Sequence, residues 1–250
     1  MNFNSIKAII TDLDRTLLCT DKSVSEHTND VLKRCKERGI KLMAATARPE
    51  RTAVPYSEII GFDAMVLSNG ARVICGTKKW EFPISTDSAM YLLDTLQKYR
   101  DIPITIETGD MAYSNIPIAD YETALTSKLA EVILSEGAMK ILFHLEEESS
   151  ISRILTDDLY YTVSNGYLMQ VMDRTATKWN GILLMLKSFG ISPSEAIYFG
   201  DDFDDIEPLK NCGIGVAVAN AINEAASAAD FICGTNDTDG VANFLEKHLL

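Results

Sequence analysis

The order of strand-like and helix-like segments is the feature that most constrains the fold of this chain. Short apolar runs, rich in β-branched residues, alternate with helical segments at the start of the chain and again from Lys178 onward. This alternation is typical of a parallel sheet with right-handed crossovers, so we predict an α/β fold. The strands predicted for its sheet lie at 7–11, 40–45, 64–67, 196–199, 215–218 and 231–232.

The middle of the chain has a different pattern. Between about residues 80 and 177, short strands alternate with hairpin turns such as Ser164-Asn165-Gly166, and helical patches are predicted at 121–131 and 149–156. This segment holds 16 of the 36 acidic residues but only 6 of the 23 basic ones, including the short acidic cluster at 146–148. We therefore predict an α+β domain, 80–177, inserted into a core formed by 1–79 and 178–250.

Charged and hydroxyl side chains cluster where the predicted core strands end. Asp12-Leu13-Asp14-Arg15-Thr16 follows the first strand and Thr46 follows the second. Lys178 begins a predicted helix, and Gly200-Asp201-Asp202-Phe203-Asp204-Asp205 follows a later strand. Ligands bind at the carboxyl edge of an open parallel sheet, so these groups are candidates for a common site.

Each group alone also has an ordinary structural explanation. Asp12 can cap a turn and Thr46 a helix, while Lys178 can be a surface lysine and the acids at 201–205 can favour a helix amino terminus. Four acids in five residues exceed what such a cap needs, however. Carboxylates from two strands can hold Mg²⁺, while a lysine and a threonine hold phosphate oxygens. A carboxylate beside the metal can then attack phosphorus, and a second one can transfer the protons.

Taken together, these motifs resemble the haloacid dehalogenase superfamily, and within it the Cof-type subfamily with a type IIB cap. The resemblance covers the whole predicted core in chain order, and it implies a Rossmann-like core with an inserted α+β cap. The matching residues are Asp12, Asp14 and Thr16; Ala45-Thr46-Ala47-Arg48; Ser68-Asn69-Gly70-Ala71; Lys178; and Gly200-Asp201-Asp202-Phe203-Asp204-Asp205.

The resemblance also implies a role for each matching residue. Asp12 would be the nucleophile and a Mg²⁺ ligand, and Asp14 the general acid and base and a ligand through its backbone carbonyl. Asp201 would complete the protein's metal ligands, and Asp205 would help to hold Lys178 or the metal in position. Thr46 and Lys178 would also act in catalysis. The implied phosphate-binding residues are Leu13, Thr46, Ala47, Asn69, Lys178 and Asp204.

Three positions depart from the family's motifs. Arg15 stands where the family has a glycine, which suits a positive φ. Ala47 replaces another glycine, which is a small change. Asp204 replaces an asparagine on the phosphate side, where a carboxylate should repel phosphate unless it is protonated, paired or bound to metal.

Composition excludes several other classes of protein. A net charge of −13 and a pI near 4.7 argue against nonspecific binding to nucleic acid. No apolar stretch is long enough to span a bilayer, and the amino terminus does not resemble a signal peptide. The five cysteines are scattered without a C-x-x-C pair, which argues against disulfides or zinc and favours a cytoplasmic protein.

The sequence therefore predicts a Mg²⁺-dependent phosphatase that acts on a small phosphorylated metabolite, with a sugar phosphate as the expected class, through an aspartyl-phosphate at Asp12. One alternative is a phosphomutase of the phosphomannomutase type, which would need basic residues in the inserted domain. Another is a non-catalytic protein that binds metal or phosphate, for which Arg15 and Asp204 are the support. The oligomeric state is not predicted. The basic candidates for the mutase are Lys98, Arg100, Lys128, Lys140, Arg153 and Arg174.

Overall fold

The chain forms two compact units in the computed structural model, which describes residues 3–99, 102–119, 121–144, 153–164 and 167–250. The core unit comprises Met1–Arg48, Ala53–Trp80 and Thr177–Leu250. The inserted unit comprises Glu81–Ala176 together with Pro49–Thr52, a short segment that was predicted to belong to the core.

Strands and helices alternate at both ends of the chain, and strands predominate in its middle. In chain order, the strands are β1 (Ala8–Thr11), β2 (Lys41–Ala45), β3 (Ala64–Leu67), β4 (Arg72–Cys75), β5 (Lys78–Glu81), β6 (Ile104–Glu107), β7 (Ala112–Ser114), β8 (Ala124–Leu125), β9 (Lys140–His144), β10 (Leu159–Ser164), β11 (Leu168–Asp173), β12 (Ala196–Gly200), β13 (Ile214–Ala217) and β14 (Phe231–Ile232). The helices are α1 (Glu26–Glu37), α2 (Glu50–Ile60), α3 (Thr86–Leu96), α4 (Leu129–Glu136), α5 (Lys178–Phe189), α6 (Ile206–Asn211), α7 (Asn223–Ala228) and α8 (Gly240–Leu249).

The sheet of the core unit has the order β14-β13-β12-β1-β2-β3-β4-β5. The strands from β14 to β3 run parallel, and β4 is antiparallel to β3. This confirms the predicted α/β class with a parallel-sheet core. The neighbouring strands β12, β1, β2 and β3 therefore end at one edge, where the motif residues follow them.

Apolar side chains cover both faces of this sheet. On one face, Ile9 and Phe199 belong to a buried cluster with Val31 of α1 and Leu245 of α8. On the other face, α5 approaches β3 closely at a glycine: a Cβ at Gly181 would lie 2.7 Å from both γ-methyls of Val66. The glycine thus allows α5 to pack at the distance that places its first residue near the strand ends.

Two serines near the start of α1 could cap this helix. Ser23 and Glu26 have the spacing of a capping box, but the N-cap is Ser25, whose hydroxyl accepts a hydrogen bond from the backbone N–H of Thr28. The hydroxyl of Ser23 is instead bonded to the carboxylate of Asp21 in the preceding turn. Both serines have capping chemistry, and the local turn decides which of them is used.

The inserted unit contains a second sheet, of order β10-β11-β9-β6-β7-β8. The apolar face of this sheet packs against α3 and α4. Ile106 of β6 and Ile141 of β9 belong to one buried cluster with Leu93 of α3 and Ile133 of α4. The prediction of a helix at 121–131 is wrong for most of that segment, because Ala124–Leu125 pairs in parallel with β7 and α4 begins only at Leu129.

Several predictions fall wholly or partly outside the described residues. These are the acidic cluster at 146–148, the first half of the helix predicted at 149–156, the turn residues Asn165 and Gly166, and Arg100. Of the helices that the structure describes, none combines the length and apolarity needed to cross a membrane.

Candidate active site

A buried lysine joins two carboxylates at the carboxyl edge of the core sheet. Asp12 directly follows β1 and is 6% exposed, and its backbone N–H donates to the carbonyl of Phe199 on β12. Nζ of Lys178 donates to Oδ1 of Asp12 at 3.0 Å and to Oδ1 of Asp205 at 2.7 Å. The structure thus brings together three residues that the sequence places up to 193 positions apart.

The position of Lys178 depends on the turn that precedes it. Thr177 caps α5 by accepting a hydrogen bond from the N–H of Asn180. Gly70, in the turn after β3, lies against Thr177 with a φ of +117°, and a Cβ there would be 2.3 Å from the carbonyl oxygen of Thr177. Only glycine fits this close approach, which fixes the first turn of α5 beside the strand ends.

Asp205 is held by four hydrogen bonds. Its Oδ1 accepts from Lys178 and from the hydroxyl of Tyr198 at 2.6 Å, and its Oδ2 accepts from the backbone N–H groups of Asp201 and Asp202. A carboxylate engaged in this way is well suited to hold Lys178 and to shape the turn after β12. Tyr198 was not predicted to take part, since a tyrosine inside a buried strand carries no signal of such a contact.

Asp12, Asp201 and Asp205 could together hold a metal ion. One carboxylate oxygen from each lies within 4.8 Å of the others, and all three residues are buried. Burial and the nearby Asp205 raise the pKa of Asp201 to about 7. Burial also raises the pKa of Asp12 well above its usual range, although Lys178 opposes this. A buried excess of carboxylates disfavours ionisation and favours a cation, and an all-oxygen set of donors fits Mg²⁺.

Asp14 is held by two cations. Arg48 binds it through both carboxylate oxygens, with Nε 2.6 Å from Oδ2 and Nη2 2.7 Å from Oδ1, and Nζ of Lys22 lies 2.7 Å from Oδ1. Burial alone would raise the pKa of Asp14, but these hydrogen bonds and charges lower it. Arg48 belongs to the motif Ala45-Thr46-Ala47-Arg48, but the sequence analysis assigned no role to it. Nothing in the sequence around Lys22 indicated that this lysine would contact Asp14.

The remaining predicted phosphate-binding residues follow the ends of β1, β2, β3 and β12. Thr46 is fully buried, and its hydroxyl accepts a hydrogen bond from the N–H of Arg48. The backbone N–H of Asn69 donates to the carbonyl of Thr46, while its side-chain amide donates to Asp204. Burial raises the pKa of Asp204. Leu13 is fully buried, and Ala47 is partly buried beside Thr46.

Some of the basic residues that a mutase would need already have partners. Lys128, which directly precedes α4, pairs with Glu131 of that helix. Lys140 is buried on β9, donates to Gln170 at 2.9 Å and lies 3.9 Å from Oε2 of Glu107. Arg174 donates to the carbonyl of Leu159.

A family model described as haloacid dehalogenase-like hydrolase matches residues 9–245, and the chain therefore belongs to that family. This confirms the resemblance stated from the motifs and makes the chain a hydrolase.

Named relatives are similar over nearly their whole length. One is the 5-amino-6-(5-phospho-D-ribitylamino)uracil phosphatase YitU of Bacillus subtilis, which is 26% identical over 96% of each chain. Another is a phosphoglycolate phosphatase of Methanopyrus kandleri, 24% identical over 96% of each chain.

Solved structures share the fold. The phosphatase BT1666 of Bacteroides thetaiotaomicron has a TM-score of 0.88 at 23% identity, over 97% of this chain and 95% of that one. The subclass IIB sugar phosphatase BT4131 has a TM-score of 0.85 at 21% identity, over 96% of this chain and 98% of that one.

Proposed function

We propose that this hydrolase is a Mg²⁺-dependent phosphatase that acts on a small phosphorylated metabolite through an aspartyl-phosphate at Asp12. The observation that carries the proposal is the convergence of Asp12, Asp201 and Lys178 at the carboxyl edge of the core sheet. The named relatives, which are phosphatases, support hydrolysis of a phosphoric monoester. Similarity to a sugar phosphatase supports a sugar phosphate as substrate.

In the first step, a carboxylate oxygen of Asp12 attacks phosphorus and the bond from phosphorus to the leaving oxygen breaks. Asp14 gives its proton to that leaving oxygen. Lys178 favours the ionised form of Asp12 that attacks, and it offsets the charge of the incoming phosphoryl group. Because Arg48 and Lys22 both favour the ionised form of Asp14, it must release at least one of them before it carries a proton.

In the second step, water attacks the phosphorus of the aspartyl-phosphate and Asp14 accepts the proton from that water. The bond from phosphorus to Asp12 breaks, which frees inorganic phosphate and restores the Asp12 carboxylate. The contacts of Asp14 with Arg48 and Lys22 favour the ionised state that this step requires. Bound Mg²⁺, held by Asp12, Asp201 and the backbone carbonyl of Asp14, would neutralise charge on the phosphoryl oxygens.

The test is phosphate release from a panel of sugar, polyol and carboxylic-acid phosphates, with Mg²⁺ and with EDTA. We expect metal-dependent release that falls by at least about a thousandfold in Asp12→Asn, because the nucleophile is lost. Asp30→Asn, which removes an exposed carboxylate of α1, is the matched control and should keep full activity. Thermal unfolding of both variants checks that they are folded.

Two results would contradict this proposal. Undiminished release by a folded Asp12→Asn variant would exclude the aspartyl-phosphate. Absence of release from every ester by the unmodified protein would favour the non-catalytic alternative. A parallel series of reactions contains a bisphosphorylated sugar. Isomerisation of a sugar phosphate only when this bisphosphate is present would favour the mutase.

A further inference from the structure

Arg15 has an unusual backbone conformation beside the candidate metal ligands. Its φ is +60°, in the left-handed region that residues with a side chain rarely adopt. Such a conformation is unfavourable for a residue with a side chain and persists where surrounding contacts impose it. The position is therefore held by specific partners, and these partners also fix where its side chain can reach.

Asn220 provides those partners. Its side-chain amide donates to the carbonyl of Arg15 at 2.7 Å, and Nη2 of Arg15 donates back to the carbonyl of Asn220 at 3.3 Å. The amide oxygen of Asn220 accepts from the N–H of Asn236, which orients the amide. Two residues further on, the N–H of Ile222 donates to the backbone carbonyl of Asp201 at 2.9 Å. One loop, 220–222, thus ties Arg15 and Asp201 to each other.

This arrangement places a permanent cation against Asp201. Nε of Arg15 lies 3.9 Å from Oδ2 of Asp201, whose Oδ1 accepts from the hydroxyl of Thr16 at 2.7 Å. The Asp201 side chain is 4% exposed, whereas that of Arg15 is 56% exposed. Arg15 is therefore a surface group that reaches a buried carboxylate, and it can leave that carboxylate for solvent without crossing the core.

We propose that Arg15 sets the affinity of this site for its divalent cation, by holding Asp201 in the metal-free protein and by repelling the entering ion. The proposal rests on the metal site proposed above. Because a guanidinium is a permanent cation, its opposition to the entering ion persists across the physiological pH range. Because it is largely exposed, its field is screened by salt. Arg15 is a positioning residue here, since it acts on metal binding and not on the reacting atoms.

The test measures metal binding directly. The metal-free protein is titrated calorimetrically with Mg²⁺ and, separately, with Mn²⁺, at low and at high ionic strength. We expect Arg15→Gln to bind the cation between about five- and twentyfold more tightly at low ionic strength, the effect of removing one charge a few ångströms from a divalent ion. Arg15→Lys, which keeps the charge, should stay within about threefold of the unmodified protein.

The control is Arg38→Gln, which removes the same charge at the opposite edge of the sheet, where Arg38 donates to the carbonyls of Leu249 and Leu250. It should leave the affinity unchanged. A second variant, Asn220→Ala, frees the Arg15 side chain without removing its charge, and it should tighten binding by less than Arg15→Gln does. High ionic strength should reduce the difference in cation affinity between Arg15→Gln and the unmodified protein.

Equal or weaker binding by Arg15→Gln at low ionic strength would overturn the inference while leaving the metal site intact. An equal increase in cation affinity in Arg38→Gln would also overturn the inference, because the effect would then come from net charge alone. If neither the unmodified protein nor Arg15→Gln binds either ion, the metal site itself is wrong, and the inference fails with it.

Discussion

Single residues with the same side chain differ sharply at this site because their partners differ. Asp205 accepts four hydrogen bonds, and Asp14 is paired with Arg48 and Lys22, which lower its pKa. Asp204 accepts a hydrogen bond from the side-chain amide of Asn69, and burial raises the pKa of Asp204. Asp12 and Asp204 would both lie near the predicted phosphate position, but only Asp12 would act on the phosphate, as its nucleophile.

Asp204→Asn is predicted to strengthen phosphate binding. The change removes a negative charge that repels the phosphate dianion, and an asparagine oxygen can still accept from Asn69. We expect the inhibition constant of inorganic phosphate to fall by about three- to tenfold above neutral pH, where the carboxyl would be most ionised. Glu207→Gln, which removes an exposed charge three residues on, should leave that constant unchanged. An unchanged constant in Asp204→Asn would mean that Asp204 lies away from the phosphate or is already neutral.

At the scale of elements, the predictions succeed where a segment is apolar and buried, and fail where it is short and polar. β3 has the predicted bounds and α5 begins at the predicted residue, because their side-chain patterns match the environment on both faces. The helix expected at 121–131 is broken because Ala124–Leu125 pairs with β7, a partner that lies outside the local sequence.

The contact between the turn after β3 and the start of α5 gives a prediction at this scale. Gly70→Ala should lower the free energy of unfolding by about 2–4 kcal/mol, since its Cβ would lie 2.3 Å from the Thr177 carbonyl at a φ of +117°. Because the turn must shift, Lys178 should move and activity should fall as well. Gly76→Ala is the control: its φ of +57° carries the same kind of backbone penalty, but nothing lies within 4 Å of the new Cβ.

Denaturant unfolding of both variants checks this prediction. The expected cost for Gly76→Ala is about 1 kcal/mol, from backbone conformation alone. A Gly70→Ala variant no less stable than Gly76→Ala would show that the close approach to Thr177 is not maintained in solution.

At the scale of the whole molecule, folding brings carboxylates of an acidic chain together in the core unit. The chain carries a net charge of −13, and Asp12, Asp201 and Asp205 are buried within reach of one another with Lys178. Taking carboxylates out of water beside one another costs free energy unless a cation compensates them. The folded core unit should therefore be more stable with a divalent ion bound.

Mg²⁺ is accordingly predicted to raise the midpoint of thermal unfolding. At a concentration one hundred times the dissociation constant, binding to the folded state contributes about 2.7 kcal/mol. For a chain of this length that corresponds to an increase of roughly 5–10 °C. The increase should disappear with excess EDTA and should be largely lost in Asp201→Asn. Differential scanning calorimetry makes the comparison, and an equal increase in Asp201→Asn would place the ion elsewhere.

The sequence by itself determined the parallel core, the order of its strands along the chain and the residues that follow the strand ends. It could do so because apolar runs and motif spacing are local properties, and the carboxyl ends of parallel strands share one edge. Only the tertiary structure decided which cation each carboxylate meets: Lys178 is paired with Asp12 across 166 positions, and Arg48 with Asp14 across 34. Such pairings depend on distances between side chains brought together by packing, and no local pattern encodes them.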